Sequence, residues 1–311
     1  MREDDSVGPF SRREFLQFSG IALLASRLDL FDTAFAFPHE AVYQGRALTA
    51  APVFASPAVT ASVARTLWPD SITPLLETRG DWYRVPDGWV RHELLQPMTP
   101  YTPPEVMPLP DVPYWAEVTA PVAPVRAWCA ADAPLVTRIG HGGVAQVIDA
   151  LPADQPGMAW YGIADETGEL LGWTPGVRWS ALTLPESFQG LRSYSTKNLV
   201  EITLSTHMLT ALEDNTAVLT APVSLGADIE PASCMIQRRQ PAITWSDGAE
   251  GQTRYGVPWT IDLGAAGLLA GAYWHNRFGA VAPGPALQVP PALARWLYHW
   301  LNDGSAIIIR A

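Results

Sequence analysis

Two cysteines and six histidines are the residues of this sequence best suited to nucleophilic or metal chemistry. A cysteine or serine nucleophile needs a base positioned beside it. No neighbouring histidine supports Cys234 as a nucleophile, so a structural role is favoured for it, and Ser233 has still less support in a Ser/His/Asp arrangement. Cys129 and Cys234 lie far apart in the chain; they either stay as two free buried thiols or form one disulfide in an oxidising compartment.

Composition excludes several classes of function. The histidines are scattered and no cysteine pair has metal-ligand spacing, so we expect no zinc site and no cofactor. The formal net charge is -11 and Lys197 is the only lysine, which argues against nucleic-acid partners and against adhesion to anionic lipid. Apolar residues make up 48% of the 311-residue chain, which is enough for two or three packed domains.

The C-terminal part of the chain begins at residue 197. Its predicted strands and helix would position the side chains of a functional site in this part. The sequence predicts two strands within residues 198–214 and a further strand and turn at residues 221–226. It predicts one convincing helix over residues 291–301, because a Pro pair precedes it and Asn302-Asp303-Gly304 follows it. A last strand is predicted at residues 306–309.

Three motifs in this part occur in the order typical of one family. They are Tyr-Gly-Val-Pro-Trp at 255–259, Gly-Ala-Tyr-Trp-His-Asn at 271–276 and Ala-Arg-Trp-Leu-Tyr-x-Trp at 294–300. Residues 197–311 therefore resemble an L,D-transpeptidase (YkuD-like) catalytic domain. Active members of that family cross-link peptidoglycan stem peptides: a cysteine thiolate attacks a peptide carbonyl, and an acceptor amine resolves the acyl-enzyme.

The positions that carry the family's catalytic residues hold other residues here. The resemblance places a histidine before Gly-x-x-Trp-His, where this chain has Ala270. It places Ser-His-Gly-Cys-x-Asn after Phe-Gly; Gly284 stands at the base and Ala286 at the nucleophile, in register with the family. Pro283 and Pro285 also remove backbone N–H groups from this loop, which would otherwise help to stabilise an oxyanion. The resemblance therefore implies a degenerate, inactive catalytic motif.

The same resemblance implies that a substrate groove is retained although the catalytic residues are not. The candidate groove residues are Tyr255, Trp259, Trp274, His275, Asn276 and Gln288. For His275 two interpretations stay open, contact with a bound peptide and a retained packing or hydrogen-bonding role.

Two similar segments fill the middle of the chain. In each, a Trp-Tyr strand (residues 82–83 and 160–161) is followed by a Gly-containing turn and a Gly-Trp strand (88–89 and 172–173), which predicts a hairpin with paired aromatic faces. The pattern resembles bacterial SH3-like domains, small barrels common in wall-associated proteins. We assign residues 45–97 and 114–182 to two such domains, joined by a stiff, proline-rich linker at residues 98–113.

Residues 1–37 are set apart as an export signal. Arg12 and Arg13 precede Phe15-Leu16 and a short apolar run, and Ala34-Phe35-Ala36 offers a small-x-small cleavage site. This resembles the twin-arginine signal, a receptor-read address. The apolar run is too short to span a bilayer, so we expect membrane contact only through this segment if it is not cleaved.

Together these features predict a mainly β chain: two SH3-like barrels followed by an L,D-transpeptidase-like β domain with one C-terminal helix. The leading hypothesis is an exported, non-catalytic protein of the bacterial envelope that binds peptidoglycan stem peptides or an envelope protein. Two alternatives stay open. One is an active L,D-transpeptidase with a displaced nucleophile; the other is a structural docking module of an envelope assembly.

Overall fold

The computed structural model describes residues 43–103, 111–156, 158–165, 167–184, 198–226, 229–247, 251–301 and 304–311. The predicted export signal, with Arg12 and Arg13, lies outside the described residues, as does the stretch 104–110 of the predicted linker. The described chain consists mainly of strands with a single α-helix, which confirms the predicted fold class.

The first module contains eight strands in two small sheets, of order β4-β1-β8 and β3-β2-β7-β6-β5. The strands are β1 Tyr43–Ala47, β2 Ala51–Phe54, β3 Val63–Leu67, β4 Ile72–Leu75, β5 Glu77–Arg79, β6 Trp82–Val85, β7 Gly88–Arg91 and β8 Leu95–Met98, with a 3₁₀ turn at His92–Leu94. Their apolar side chains alternate inward and form a core of their own.

The second module is one sheet of seven strands, of order β11-β10-β14-β13-β12-β9-β15. Its strands are β9 Tyr114–Val118, β10 Val122–Arg126, β11 Leu135–Gly140, β12 Val144–Pro152, β13 Ala159–Ala164, β14 Leu170–Pro175 and β15 Trp179–Ala181, with a 3₁₀ turn at Gly176–Arg178. Its core also takes in Tyr273 from the C-terminal part of the chain.

Both predicted Trp-Tyr/Gly-Trp hairpins are confirmed, as the antiparallel pairs β6–β7 and β13–β14. The repeated Gly-Trp has a steric reason. A Cβ on Gly88 would lie 2.2 Å from the carbonyl oxygen of Phe54, and a Cβ on Gly172 would lie 2.5 Å from that of Arg126. Only glycine lets the neighbouring strand approach so closely while adopting a positive φ. The SH3-like identity of the two modules stays a prediction.

The C-terminal domain has two five-stranded sheets, of order β18-β17-β16-β25-β20 and β19-β24-β23-β22-β21. Its strands are β16 Asn198–Thr203, β17 Met208–Glu213, β18 Thr216–Pro222, β19 Ser224–Leu225, β20 Ala232–Met235, β21 Arg238–Ser246, β22 Thr253–Asp262, β23 Leu268–Gly271, β24 Leu287–Val289 and β25 Ala306–Arg310, with a 3₁₀ turn at Gly264–Ala266. The two strands predicted within residues 198–214 and the final strand are confirmed.

The predicted helix is α1, Pro291–Trp300, one residue shorter than predicted. Proline at its first turn costs no hydrogen bond, and Leu301 ends it by donating its N–H to the carbonyl of Leu297 at 2.9 Å. One face of the helix is buried in the largest core of the protein, which it shares with both C-terminal sheets. The helix thereby holds β22 and β23, and through them β24, in fixed positions.

Candidate functional site

Strand β24, with the loop before it, lies beside Ala270, one of the three positions that the sequence analysis compared with the family's catalytic residues. It runs parallel to β23 with Ala270 paired to Gln288, and antiparallel to β19 with Ser224 paired to Gln288. Gln288 is therefore a central residue and fully buried. Ala270 is also fully buried, so at this position the structure offers a methyl group inside the core and no side chain to a substrate.

The side chain of Gln288 occupies the space beside Gly284. Its Nε2 donates to the carbonyl of Ala282 at 2.9 Å. A Cβ on Gly284 would lie 2.3 Å from Gln288 Oε1, and Gly284 has a φ of 150°, which favours glycine. A histidine at position 284 would therefore collide with the amide of Gln288.

His275 has no nitrogen free to accept a proton. Its Nδ1 accepts the backbone N–H of Arg277 at 3.1 Å, so the other nitrogen, Nε2, carries the ring proton and donates it to Gln288 Oε1 at 2.9 Å. The pKa of His275 is lowered to about 4, chiefly by burial; the hydrogen bond to Gln288 opposes this shift, and the charges of Arg277 and Arg254 add to it. A neutral imidazole with both nitrogens engaged is poorly placed to act as a general base.

Ala286 offers a half-buried methyl group where the resemblance expects a nucleophile. Its carbonyl accepts the N–H of Gly226 at 2.8 Å. On the other side, a Cβ on Gly267 would lie 2.7 Å from the Ala286 Cβ. The surroundings of this methyl group are thus backbone and hydrocarbon, which gives neither a nucleophile nor a general base.

Both cysteines carry free thiols. Cys234 lies on β20, paired with Ile307 of β25, and its side chain is buried in the large core. Burial raises the pKa of the Cys234 thiol, so it is protonated at neutral pH. Cys129 is half-buried after β10, and burial and the charge of Asp149 raise the pKa of its thiol. Neither environment activates a thiolate.

The six candidate groove residues occupy three different environments. Trp274, His275 and Gln288 meet around residues 282–286, where Trp274 Nε1 donates to the carbonyl of Pro283 at 3.3 Å. Trp259 is fully buried, with its ring 5.2 Å from that of Tyr298, so it presents no surface to a ligand.

The other two candidates face the neighbouring modules. The Asn276 side chain donates to the carbonyls of His92 at 2.9 Å and Leu95 at 2.8 Å, both in the first module. Tyr255 is half-buried, and its carbonyl accepts the hydroxyl of Tyr273 at 2.6 Å next to the second module's core. Asn276 therefore serves to hold two parts of the protein together.

Sequence reasoning missed the residue that joins all three parts. Arg46 of β1 is 5% exposed. It donates from Nη1 to the carbonyl of Pro121 at 3.0 Å and from Nη2 to the carbonyl of Tyr273 at 2.7 Å. Asp70 lies 3.6 Å from Nη1. A Cβ on Gly140 would lie 2.5 Å from Arg46 Nη1, so this glycine makes room for the guanidinium. A lone arginine in a strand gives no local signal of such a role.

Clusters of metal-ligating side chains and membrane-spanning helices are both absent from the described ranges. Within those ranges, no three His, Cys, Asp or Glu side chains gather closely enough to hold a metal ion. Among the same residues, no helix has both the length and the apolar character needed to cross a membrane.

Comparison with known proteins gives matches to solved structures alone. No protein-family model matches the sequence, and no curated protein matches it. An L,D-transpeptidase from Mycobacterium smegmatis is similar at 16% identity and a TM-score of 0.35, over 50% of this chain and 91% of that one. One from Mycobacterium tuberculosis has 13% identity and a TM-score of 0.33, over 54% and 72%.

A mutant L,D-transpeptidase from Enterococcus faecium is similar at 10% identity and a TM-score of 0.34. The alignment covers 36% of this chain and 49% of the Enterococcus protein, about half of its length. Similarity at this level transfers no activity to this chain, whose chemistry follows from its own residues.

Proposed function

We propose that this chain is a non-catalytic protein of the bacterial cell envelope, whose degenerate L,D-transpeptidase-like domain binds a peptide or a partner protein and does not transfer acyl groups. One observation carries the proposal. The amide of Gln288 fills the space beside Gly284 and engages His275, while Ala286 presents only a methyl group nearby.

Acyl transfer requires a nucleophile, a base that removes its proton and donors for the oxyanion. At residues 283–286 the first two are missing, and two of the four residues are prolines without an N–H to donate. Cys234 does not replace them, because its thiol is buried in the core and held in its protonated form. These contacts favour the non-catalytic hypothesis over an active enzyme with a displaced nucleophile.

A structural docking role is the second candidate, and Asn276 favours it. This residue of the predicted groove is fully used in holding the first module. Arg46 ties the carbonyl of the nearby Tyr273 to the same module. On this hypothesis the C-terminal domain holds the two smaller modules in position through such hydrogen bonds.

Mass spectrometry of the intact protein tests the absence of catalysis. After incubation with a stem tetrapeptide we expect the unmodified mass, both in the wild type and in Cys234→Ala. An acyl adduct that disappears in Cys234→Ala would overturn the proposal in favour of a displaced nucleophile.

Retention on purified peptidoglycan sacculi separates ligand binding from docking. If the domain binds wall peptides beside Trp274, retention should fall in Trp274→Ala and persist in a matched variant of an exposed tryptophan, Trp68→Ala, since Trp68 is 72% exposed in the first module. Retention that is equal in both variants, or missing from the wild type, favours the docking role.

A further inference from the structure

Strand β18, Thr216–Pro222, lies at the edge of a sheet in the C-terminal domain. It pairs with β17 on one side, and on its other side none of the described strands pairs with it. Its 7 residues include no charged side chain, and its one proline is the last residue. An edge strand presents a row of unpaired backbone N–H and C=O groups, so a strand of this kind readily pairs with another chain.

The other long edge strands of the described chain differ from β18. Strands β3, β11 and β21, of 5, 6 and 9 residues, also lie at the edges of their sheets. Each of them carries an arginine, namely Arg65, Arg138 and Arg238. A charge on an edge strand opposes its pairing with a second chain. Among the described edge strands of this length, β18 is therefore the one that lacks a charge.

The hydrogen bonds of the β17–β18 hairpin show which residue of β18 faces the open edge. The N–H of Val223 donates to the carbonyl of His207 at 2.9 Å, so these two residues form a hydrogen-bonded pair. Opposite residues of an antiparallel ladder alternate between hydrogen-bonded and non-hydrogen-bonded pairs. The pair Thr210–Thr220, three steps along the ladder, is therefore non-hydrogen-bonded. It follows that the N–H and C=O of Thr220 point away from β17, towards the open edge.

The side chains of β18 alternate in the way that a continued sheet requires. Leu219 and Ala221 are buried in the large core, whereas Thr220 is exposed on the other face. The hydroxyl of Thr220 lies 3.5 Å from that of Thr210 on β17. The register shift of the hairpin comes before Leu219, so Thr220 lies in the regular part of the ladder. Threonines that face each other across strands are a favourable pair, so a further threonine on the open side would extend this row.

Charge favours a second copy of this chain as the partner strand. Glu213 and Asp214 lie just before β18. Ser224 lies just after it and donates its hydroxyl to the carbonyl of the exposed Arg277 at 2.8 Å. When two copies of β18 run antiparallel with Thr220 opposite Thr220, the acidic end of each strand lies beside the basic end of the other. No like charges face each other within the paired strands, because β18 carries none.

We propose that β18 is a dimerisation edge, at which two copies of this chain pair antiparallel about Thr220 and join their five-stranded sheets into one. The N–H of each Thr220 donates to the C=O of the other. The interface uses none of the residues at 270, 284 or 286, so the proposal stands apart from the proposed function. Pairing along one short strand makes a small interface, and we expect a dissociation constant of about 1–100 μM.

Sedimentation velocity of the full chain, at concentrations from about 1 to 300 μM, tests the dimer. We expect a monomer at the low end of this range and a dimer at the high end. A monomer at every concentration would overturn the proposal.

Substitutions of Thr220 locate the interface. Thr220→Lys and Thr220→Glu should each weaken the dimer at least about tenfold, because two like charges then face each other across the paired strands. The matched control is Thr66→Lys, on the exposed edge strand β3, which should leave the dimer unchanged. Unchanged thermal unfolding of the three variants shows that a loss of association is not a loss of fold. Equal association of Thr220→Lys and Thr66→Lys would contradict the assignment to β18.

A mixture of the two charged variants tests the pairing of Thr220 with itself. Thr220→Lys and Thr220→Glu, each monomeric alone, should form a dimer when mixed in equal amounts, since opposite charges then face each other. A mixture that stays monomeric while the wild type dimerises would contradict the pairing about Thr220.

Discussion

The Oε1 of Gln288 lies 2.9 Å from the Nε2 of His275, and the same amide donates to the carbonyl of Ala282 at 2.9 Å. The two side chains are neutral and buried, and they are joined by hydrogen bonds to each other and to the backbone. A buried hydrogen-bond chain whose members are all satisfied stabilises a single arrangement of its loop. The free energy of unfolding therefore reports on the packing of this site.

Replacing Gln288 by Ala should destabilise the protein by about 2–4 kcal/mol, because His275 loses its acceptor, Ala282 loses its donor, and a buried cavity remains. Urea unfolding measures the loss. The matched control is Gln237→Ala, since Gln237 is exposed; this change should shift the free energy of unfolding by no more than about 0.5 kcal/mol. Similar losses in both variants would contradict the role assigned to Gln288.

Introducing a histidine at 284 and a cysteine at 286 should not produce an acyl-transfer enzyme. In Gly284→His with Ala286→Cys, the new histidine Cβ would meet the Gln288 amide at 2.3 Å. We expect a less stable protein that forms no adduct with a stem tetrapeptide by intact mass. Ala286→Cys alone should fold normally and stay equally inert. An acyl-enzyme in the double variant would show that the loop rearranges more easily than its contacts suggest.

Replacing Arg46 by Ala should loosen the junction of the three parts. It leaves two buried carbonyls, those of Pro121 and Tyr273, without their donor, at a cost of about 1–3 kcal/mol each. Hydrogen exchange should then accelerate at residues 92–95 and 273–276. The control is Arg65→Ala, whose exposed ion pair with Asp87 contributes about 1 kcal/mol or less. Unchanged hydrogen exchange in Arg46→Ala would refute the role of Arg46 in holding the three parts of the protein together.

One buried histidine, His275, and two half-buried ones, His141 and His299, should make the protein sensitive to mild acid. Burial is the largest cause that lowers the pKa of His141, His275 and His299, each to about 4, from an ordinary value of 6.5. Between these values the unfolded chain binds more protons than the folded one, so stability is present in full above pH 6.5 and falls as the pH drops towards 4. Urea unfolding at a series of pH values checks this; a flat profile from pH 7 to 4 would contradict it.

Export should depend on the paired arginines at the N-terminus. Fused to a reporter that works only outside the cytoplasm, residues 1–37 should direct export, and Arg12→Lys with Arg13→Lys should abolish it. Arg2→Lys, a change outside the pair, is the matched control and should leave export intact. Export of the double variant at the wild-type level would refute the twin-arginine interpretation.

The predictions that the structure confirms were based on short stretches of sequence. The helix at 291–300 is bounded by proline and turn residues, and the hairpins at Trp82 and Trp160 have alternating aromatics around a glycine turn, so a short window of sequence contains their cause. The Arg46–Tyr273 and Asn276–Leu95 hydrogen bonds span 227 and 181 residues. No local window contains both partners of such a contact, and neither residue type reveals its target.

In the candidate site, too, some features follow from the local sequence and others only from the pairing of distant strands. The residue types at 270, 284 and 286 can be read from the sequence. The direction of the Gln288 side chain, which decides what the loop can hold, follows from the pairing of β24 with β19 and β23. Trp259 looked like a groove residue by its motif, and burial places it in the core.

The contact between Gly284 and Gln288 also constrains how this protein can evolve. A side chain cannot be accepted at 284 until Gln288 has changed, and a change at 288 is costly while His275 still depends on it. A substitution at either position alone therefore lowers the stability of the fold, whichever position changes first. We therefore expect positions 284 and 288 to vary as a pair, whereas exposed positions of the same domain can change one at a time.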